Sequence, residues 1–129
     1  MNEARRMKKT FLLFLITLAN TAHADWVRMG ETDEGTFYID AATILRVGAR
    51  REVWELTDLK ERDEGSELSR RARVAYDCER GLTRVLSLAT YLEPMATGKM
   101  LVSVEREGLW KEVPASTAYE TSFKAVCAK

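Results

Sequence analysis

Apolar and polar residues alternate with a period of two through much of this chain, the spacing of strands with one face turned to a core. In 36–40, Phe37 and Ile39 fall on one face, and in 52–58 Trp54 and Leu56 are expected to join them there. Met100, Val102 and Val104 repeat the pattern. From Ser69 to Cys78, alternation sends Ala72, Val74, Tyr76 and Cys78 inward and Arg71, Arg73 and Asp77 to the other side, as in a sheet with one wet face. The stretch 82–91 is apolar on both sides and reads as central, and Gly81 suits a tight hairpin before it. Weaker strands at 26–29 and 109–113 bring the count to about six, with no parallel crossover needed.

Period two gives way to a helical spacing after Pro114. Ser116 or Thr117 can cap a helix, with Thr117 and Glu120 at capping-box spacing. Tyr119, Phe123, Val126 and Cys127 then share one helical face. The charged stretch 58–67, with Gly65 and Ser66 and no periodicity, reads as a mobile loop. The fold class is therefore α+β, a small antiparallel sheet of about six strands closed by a C-terminal helix.

Upstream of the first strand the pattern is different. Arg5, Arg6, Lys8 and Lys9 form a basic head, 11–19 an apolar run, and Ala22-His23-Ala24 a small-residue cleavage site. Residues 1–24 are thus expected to be a cleaved signal peptide, leaving 25–129 as one domain that begins at Asp25. The apolar run falls short of the roughly 18 residues a membrane helix requires, and no later stretch supplies them. A periplasmic location is expected, with secretion or the cell surface as alternatives. Processing would remove the single histidine, and with it every serine–histidine or cysteine–histidine pair and every histidine-ligated metal site. It would also shift the charge from 20 against 20 to 16 basic against 19 acidic residues. A domain so balanced lacks the basic footprint of a nucleic-acid binder, and no cofactor is implied.

Cys78 and Cys127 survive processing, and in an oxidising compartment an even count is most simply a disulfide. A redox or metal-binding pair is the alternative, but the Cys-x-x-Cys spacing that tunes a reactive thiol is absent. Neither cysteine lies near the cleavage point, where a lipid would be attached.

Three groups remain as candidate chemistry. Asp58, Glu61, Asp63, Glu64 and Glu67 offer oxygen ligands, but they lack EF-hand spacing and are interleaved with Lys60 and Arg62, so a solvated turn is the plainer reading. Trp26, Trp54 and Trp110, with Tyr38 and Tyr91, would line a groove or, as is commoner in a small domain, form the core. Arg70, Arg71 and Arg73, followed by Arg80 and Arg84, concentrate positive charge suited to the carboxylates or sulfates of an acidic partner, though a solvated strand face that discourages edge pairing is the plainer reading. Arg71 and Arg73 would face solvent, whereas Arg70 belongs to the inward set and should sit at a strand end.

Trp26, Phe37-Tyr38-Ile39-Asp40, Val53-Trp54-x-Leu56-x-Asp58, Tyr76-Asp77-Cys78, Trp110-x-x-Val113-Pro114-x-Ser116 and Cys127 stand in an order that resembles the surface-adhesin protein E family of Gram-negative envelope proteins. The resemblance covers nearly all of the chain beyond residue 24. It implies an antiparallel sheet with a disulfide-held C-terminal helix, a homodimer, and binding of host proteins such as vitronectin and laminin. Within it, Ser69, Arg70, Arg73, Tyr76 and Cys78 match the ligand-binding region. Three functions follow: a non-catalytic exported domain that binds extracellular-matrix or envelope proteins; a structural or accessory envelope protein that dimerises through its sheet edge; and, least supported, a carboxylate-dependent hydrolase.

Overall fold

The computed structural model describes residues 24–128, so the expected signal segment, His23 included, lies outside it apart from Ala24. Six antiparallel strands follow one another across the sheet in chain order: β1 (Trp26–Glu31), β2 (Gly35–Val47), β3 (Arg50–Leu59), β4 (Ser69–Asp77), β5 (Leu82–Glu93) and β6 (Thr97–Val104). A two-residue β7 (Lys111–Glu112) pairs with β5 beyond the end of β6. Among the described residues one helix, α1 (Ala118–Cys127), follows the last strand. Among the described residues no helix is long and apolar enough to cross a membrane.

Local chemistry explains the joints. At the β4–β5 turn Asp77 accepts hydrogen bonds from the backbone N–H groups of Glu79 and Arg80, and Gly81 takes the positive φ of 68° that closes it. In β2 the ladder breaks between Asp40 and Leu45, where the Thr43 hydroxyl donates to the Asp40 carbonyl and accepts from the Trp54 N–H. Thr117 is the N-cap of α1, accepting from the Glu120 N–H; the reciprocal bond to the Glu120 carboxylate comes from the N–H of Ser116 instead of Thr117.

The helix packs on one sheet face only. Val126 joins Ile39, Val53, Val74 and Tyr76 in the buried cluster, and ring contacts Tyr76–Phe123 and Phe37–Tyr119 meet edge-on at 5.9 and 4.8 Å. Small residues let α1 approach: Ala118 and Ser122 are buried, and a Cβ on Gly30 would stand 3.0 Å from that of Ala118. The Cys78–Cys127 disulfide, spanning 5.6 Å between Cα atoms, ties the last helical turn to the end of β4.

Four expectations need correction. Register pairs Phe37 with Thr57 and Ile39 with Glu55, so Trp54 and Leu56 share the opposite face with Tyr38 and Asp40. Met100, Val102 and Val104 are about half exposed, because β6 ends the sheet and nothing among the described residues covers it. The 109–113 strand shrinks to two residues, with Leu109 82% exposed. The 58–67 stretch is pinned: β3 runs to Leu59, whose N–H reaches the Leu68 carbonyl, and the Arg62 guanidinium holds the carbonyls of Ser66 and Leu92 at 3.0 and 2.6 Å.

Candidate binding surface

The three neighbouring arginines of β4 have different surroundings. Arg70 lies on the helix face, as alternation requires, opposite Thr57 and Thr90. Its three guanidinium nitrogens are each engaged: Nη1 with Glu34 at 2.5 Å, Nη2 with Asp63, and Nε with Glu67 at 3.3 Å. Desolvation would lower its pKa, but hydrogen bonds and charge from Glu34, Glu67 and Asp63 outweigh that and raise it. Carboxylates read from sequence as loop charge therefore neutralise Arg70 and fasten 60–68 to the β1–β2 turn. Among the described residues, no group of acidic, cysteine or histidine side chains could hold a metal ion.

Arg71 and Arg73 emerge on the face without the helix. Two rows cross it in register: Trp26, Asp40, Trp54, Arg73 and Ser87, and beside them Arg28, Tyr38, Leu56, Arg71, Ala89 and Ser103. Arg71 lies over the Trp54 ring at 4.1 Å, a cation–π contact that positions the guanidinium, with its Nε buried. Arg73 is 47% exposed, with a loose 4.0 Å pair to Glu52. A shallow cavity of about 120 Å³ beside them is lined by Trp54, Arg71, Tyr91, Met100 and Glu105.

Trp110 belongs to the same face. It lies between Arg84 at 4.7 Å and Arg50 at 5.1 Å, and Arg84 also pairs with Glu107 at 2.8 Å. All three tryptophans are partly exposed, and none belongs to the buried core. The core reading of these rings is corrected: the core is aliphatic, with Phe37, Tyr76 and Tyr91 as its aromatic members. Arg80 stays in the exposed turn and Arg84 is held by Glu107 and Trp110, so the free part of the basic patch narrows to Arg71 and Arg73.

A second site, absent from the sequence reading, lies on the helix face. Glu55 sits among residues that alternation marks as inward, and the Tyr76 hydroxyl donates to its Oε1. Burial pushes the carboxyl up to about 7, against the hydrogen bond from Tyr76, which lowers it. Burial and then the Glu55 charge push the Tyr76 phenol well above its ordinary value. The pair borders a cavity of about 210 Å³ walled by Val74, Val85, Leu109 and Tyr119, with Arg84 and Lys111 also lining it. The signal was present at Val53-x-Glu55, but placing Trp54 inward put Glu55 on the wet side.

Compared with known proteins, residues 26–128 match the family described as Surface-adhesin protein E. No curated protein matches. Solved structures of Haemophilus influenzae protein E are similar in fold: one crystal form superposes with a TM-score of 0.65 at 13% identity, covering 82% of this chain and 89% of that one. Protein E from non-typeable Haemophilus influenzae gives 0.62, also at 13% identity, over 84% and 79%.

Proposed function

Because the chain belongs to the surface-adhesin protein E family, we propose that it is an exported, non-catalytic domain that binds an extracellular-matrix or envelope protein through its helix-free sheet face. The observation that carries this is the row of partly exposed Trp26 and Trp54 beside Arg71 and Arg73. Tryptophan and arginine are the side chains that dominate binding energy at protein interfaces, and here a stacked guanidinium loses little freedom on meeting a carboxylate. Arg70 has no part in this surface. An acidic region of the partner is the matching chemistry.

The test is a pull-down from envelope extract and from matrix proteins with the purified protein and with Arg71→Glu/Arg73→Glu. Captured partner should fall with the double substitution and as salt shortens the screening length from about 10 Å at about 0.1 M towards about 3 Å at about 1 M. A partner indifferent to both refutes the surface. Intact mass of the exported product tests the periplasmic or secreted location: it should begin at Asp25 and carry no lipid.

A specific observation also favours the accessory reading. The outer edge of β6 is unpaired among the described residues and carries Met100, Val102 and Val104 about half exposed, the kind of edge that pairs with another copy. Sedimentation of wild type against Val102→Lys separates the readings: a dimer broken by lysine, with no captured partner, favours the accessory role.

A further inference from the structure

The Glu55 cavity lies on the opposite face of the sheet from the surface proposed above, and its chemistry is different. Its walls come from β4 (Val74, Tyr76), β5 (Thr83, Val85), the 108–111 strap and Tyr119 of α1, and Glu55 of β3 borders it. The strap is fixed to β5 by the Gly108 N–H on the Val85 carbonyl at 2.8 Å and by the β5–β7 pairing, so the cavity is built by backbone hydrogen bonds. An apolar cavity of about 150 Å³ holds benzene, and one of about 210 Å³ takes a single ring with a short arm.

We propose that this cavity binds a small organic amine, an apolar body carrying one ammonium group that meets the Glu55 carboxylate. Glu55 has one hydrogen bond, from Tyr76, whereas a carboxylate offers about four acceptor sites. With Oε1 taken by Tyr76 and Glu55 bordering the cavity, Oε2 is the acceptor left for a ligand. An ammonium donor there forms a charge-assisted hydrogen bond in a place of low dielectric. The rings of Tyr76 and Tyr119 line the cavity and give the apolar body of the ligand its contact surface. A ligand carboxylate would instead meet Glu55 as a like charge. Of the two cations that could attract one, Arg84 is already paired with Glu107 and Lys111 is exposed, where water and salt screen it.

Binding is coupled to protons. Around Glu55 stand the phenols of Tyr76 and Tyr119, both raised and neutral near pH 7, and the cations Arg84 and Lys111; Glu34 and Arg70 act on Tyr119 from its far side. Glu55 titrates near 7, so an amine entering below that pH must displace its proton.

The experiment is calorimetry of the purified protein with phenethylamine, and with phenethyl alcohol and hydrocinnamate as neutral and anionic counterparts. Phenethylamine should bind most tightly, tighten from about pH 5.5 to pH 8, and release a proton near pH 6, read from buffers of different ionisation enthalpy. Glu55→Gln should weaken it about tenfold or more, the worth of a hydrogen bond to a charged group. Leu109→Arg, at an exposed wall position, should weaken it without touching the core, and carries the test should the glutamine variant not fold. Equal affinity for the alcohol or the acid, an affinity unchanged by Glu55→Gln or Leu109→Arg, or no saturable heat with phenethylamine at about 10 mM each overturns the proposal. Because the probes are small molecules and the face is the other one, a failed pull-down leaves this result standing.

Discussion

Raising the pH from about 5 to about 8 should destabilise this fold, and replacing Glu55 with glutamine should abolish the effect. The folded carboxyl titrates near 7 and the unfolded one near 4.5. Between those values the native state holds a proton that the unfolded chain has released. Stability therefore falls as pH rises: the contribution is complete below about 4.5 and is lost through about 7. Each pKa unit corresponds to about 1.4 kcal/mol, and integrating the two titrations across this pH range gives a loss of about 2.5 kcal/mol. For a domain of this size that is about 10 to 20 °C in melting temperature.

The background is quiet enough for the effect to be read. No histidine lies among the described residues. Glu120, lowered by the Ser116 N–H and then by Lys124, has the opposite sign and loses its contribution only as pH falls below the ordinary carboxylate range. Tyr76 and Tyr119 titrate above the window. Urea unfolding at half-unit pH steps, with the disulfide intact, gives the slope for wild type and for Glu55→Gln. Glutamine keeps an acceptor for the Tyr76 hydroxyl, so the two proteins should be similar near pH 5 and the variant more stable near pH 8. A wild-type stability that is flat or rises between pH 5 and 7, or a variant with the same slope, would refute the reasoning.

Other perturbations have simpler readouts. Cys78 and Cys127 are 49 residues apart, so Cys78→Ala/Cys127→Ala should cost about 4 kcal/mol in urea unfolding; thiol titration of denatured, unreduced wild type should find no free thiol. Thr117→Ala removes the cap of α1 and should cost about 1 kcal/mol, with amide exchange rising first in 118–121. Arg70→Ala leaves Glu67, which is nearly buried, beside Glu34 and Asp63 without their cation; a loss of about 1–3 kcal/mol and faster exchange across 60–68 are expected, and unchanged exchange there would remove Arg70 from its anchoring role.

Strands, turn and cap were legible because each depends on near neighbours in sequence, and the disulfide because two cysteines 49 residues apart leave a single intramolecular pairing. Asp77 and Gly81 build the hairpin within five residues, and Thr117 meets Glu120 within one helical turn. Which side of a strand becomes inner is not a local property. In β3 either parity carries apolar residues, Val53 and Leu59 on one and Trp54 and Leu56 on the other, and all but Trp54 are buried. Only the pairing of Ile39 with Glu55, and the landing of α1, decide between them. Alternation likewise gave Met100, Val102 and Val104 a common pattern but could not say that β6 would be the last strand and lack a cover.

The same distinction separates the arginines. In the sequence, Arg70, Arg71 and Arg73 form one cluster of like charge, and their repulsion would favour recruiting an acidic partner from outside. In the fold, three carboxylates from the β1–β2 turn and the β3–β4 connection converge on Arg70 and supply that partner from within. Arg71 and Arg73, one pleat away, are separated from those acids by the sheet itself and keep most of their charge for solvent or for a ligand. One carboxylate of β3, Glu55, is turned to the other side and rests against Tyr76, while Asp40 and Glu52 stay on the arginine face, Glu52 as the loose partner of Arg73. Charge reversal at Arg71 and Arg73 should therefore remove most binding at a cost to unfolding of about 1 kcal/mol, the worth of the Arg71–Trp54 contact, and reversal at Arg70 should cost more stability and leave binding in place. That crossed pattern follows from the register of β3 and β4 and would not arise if the three residues acted as one patch.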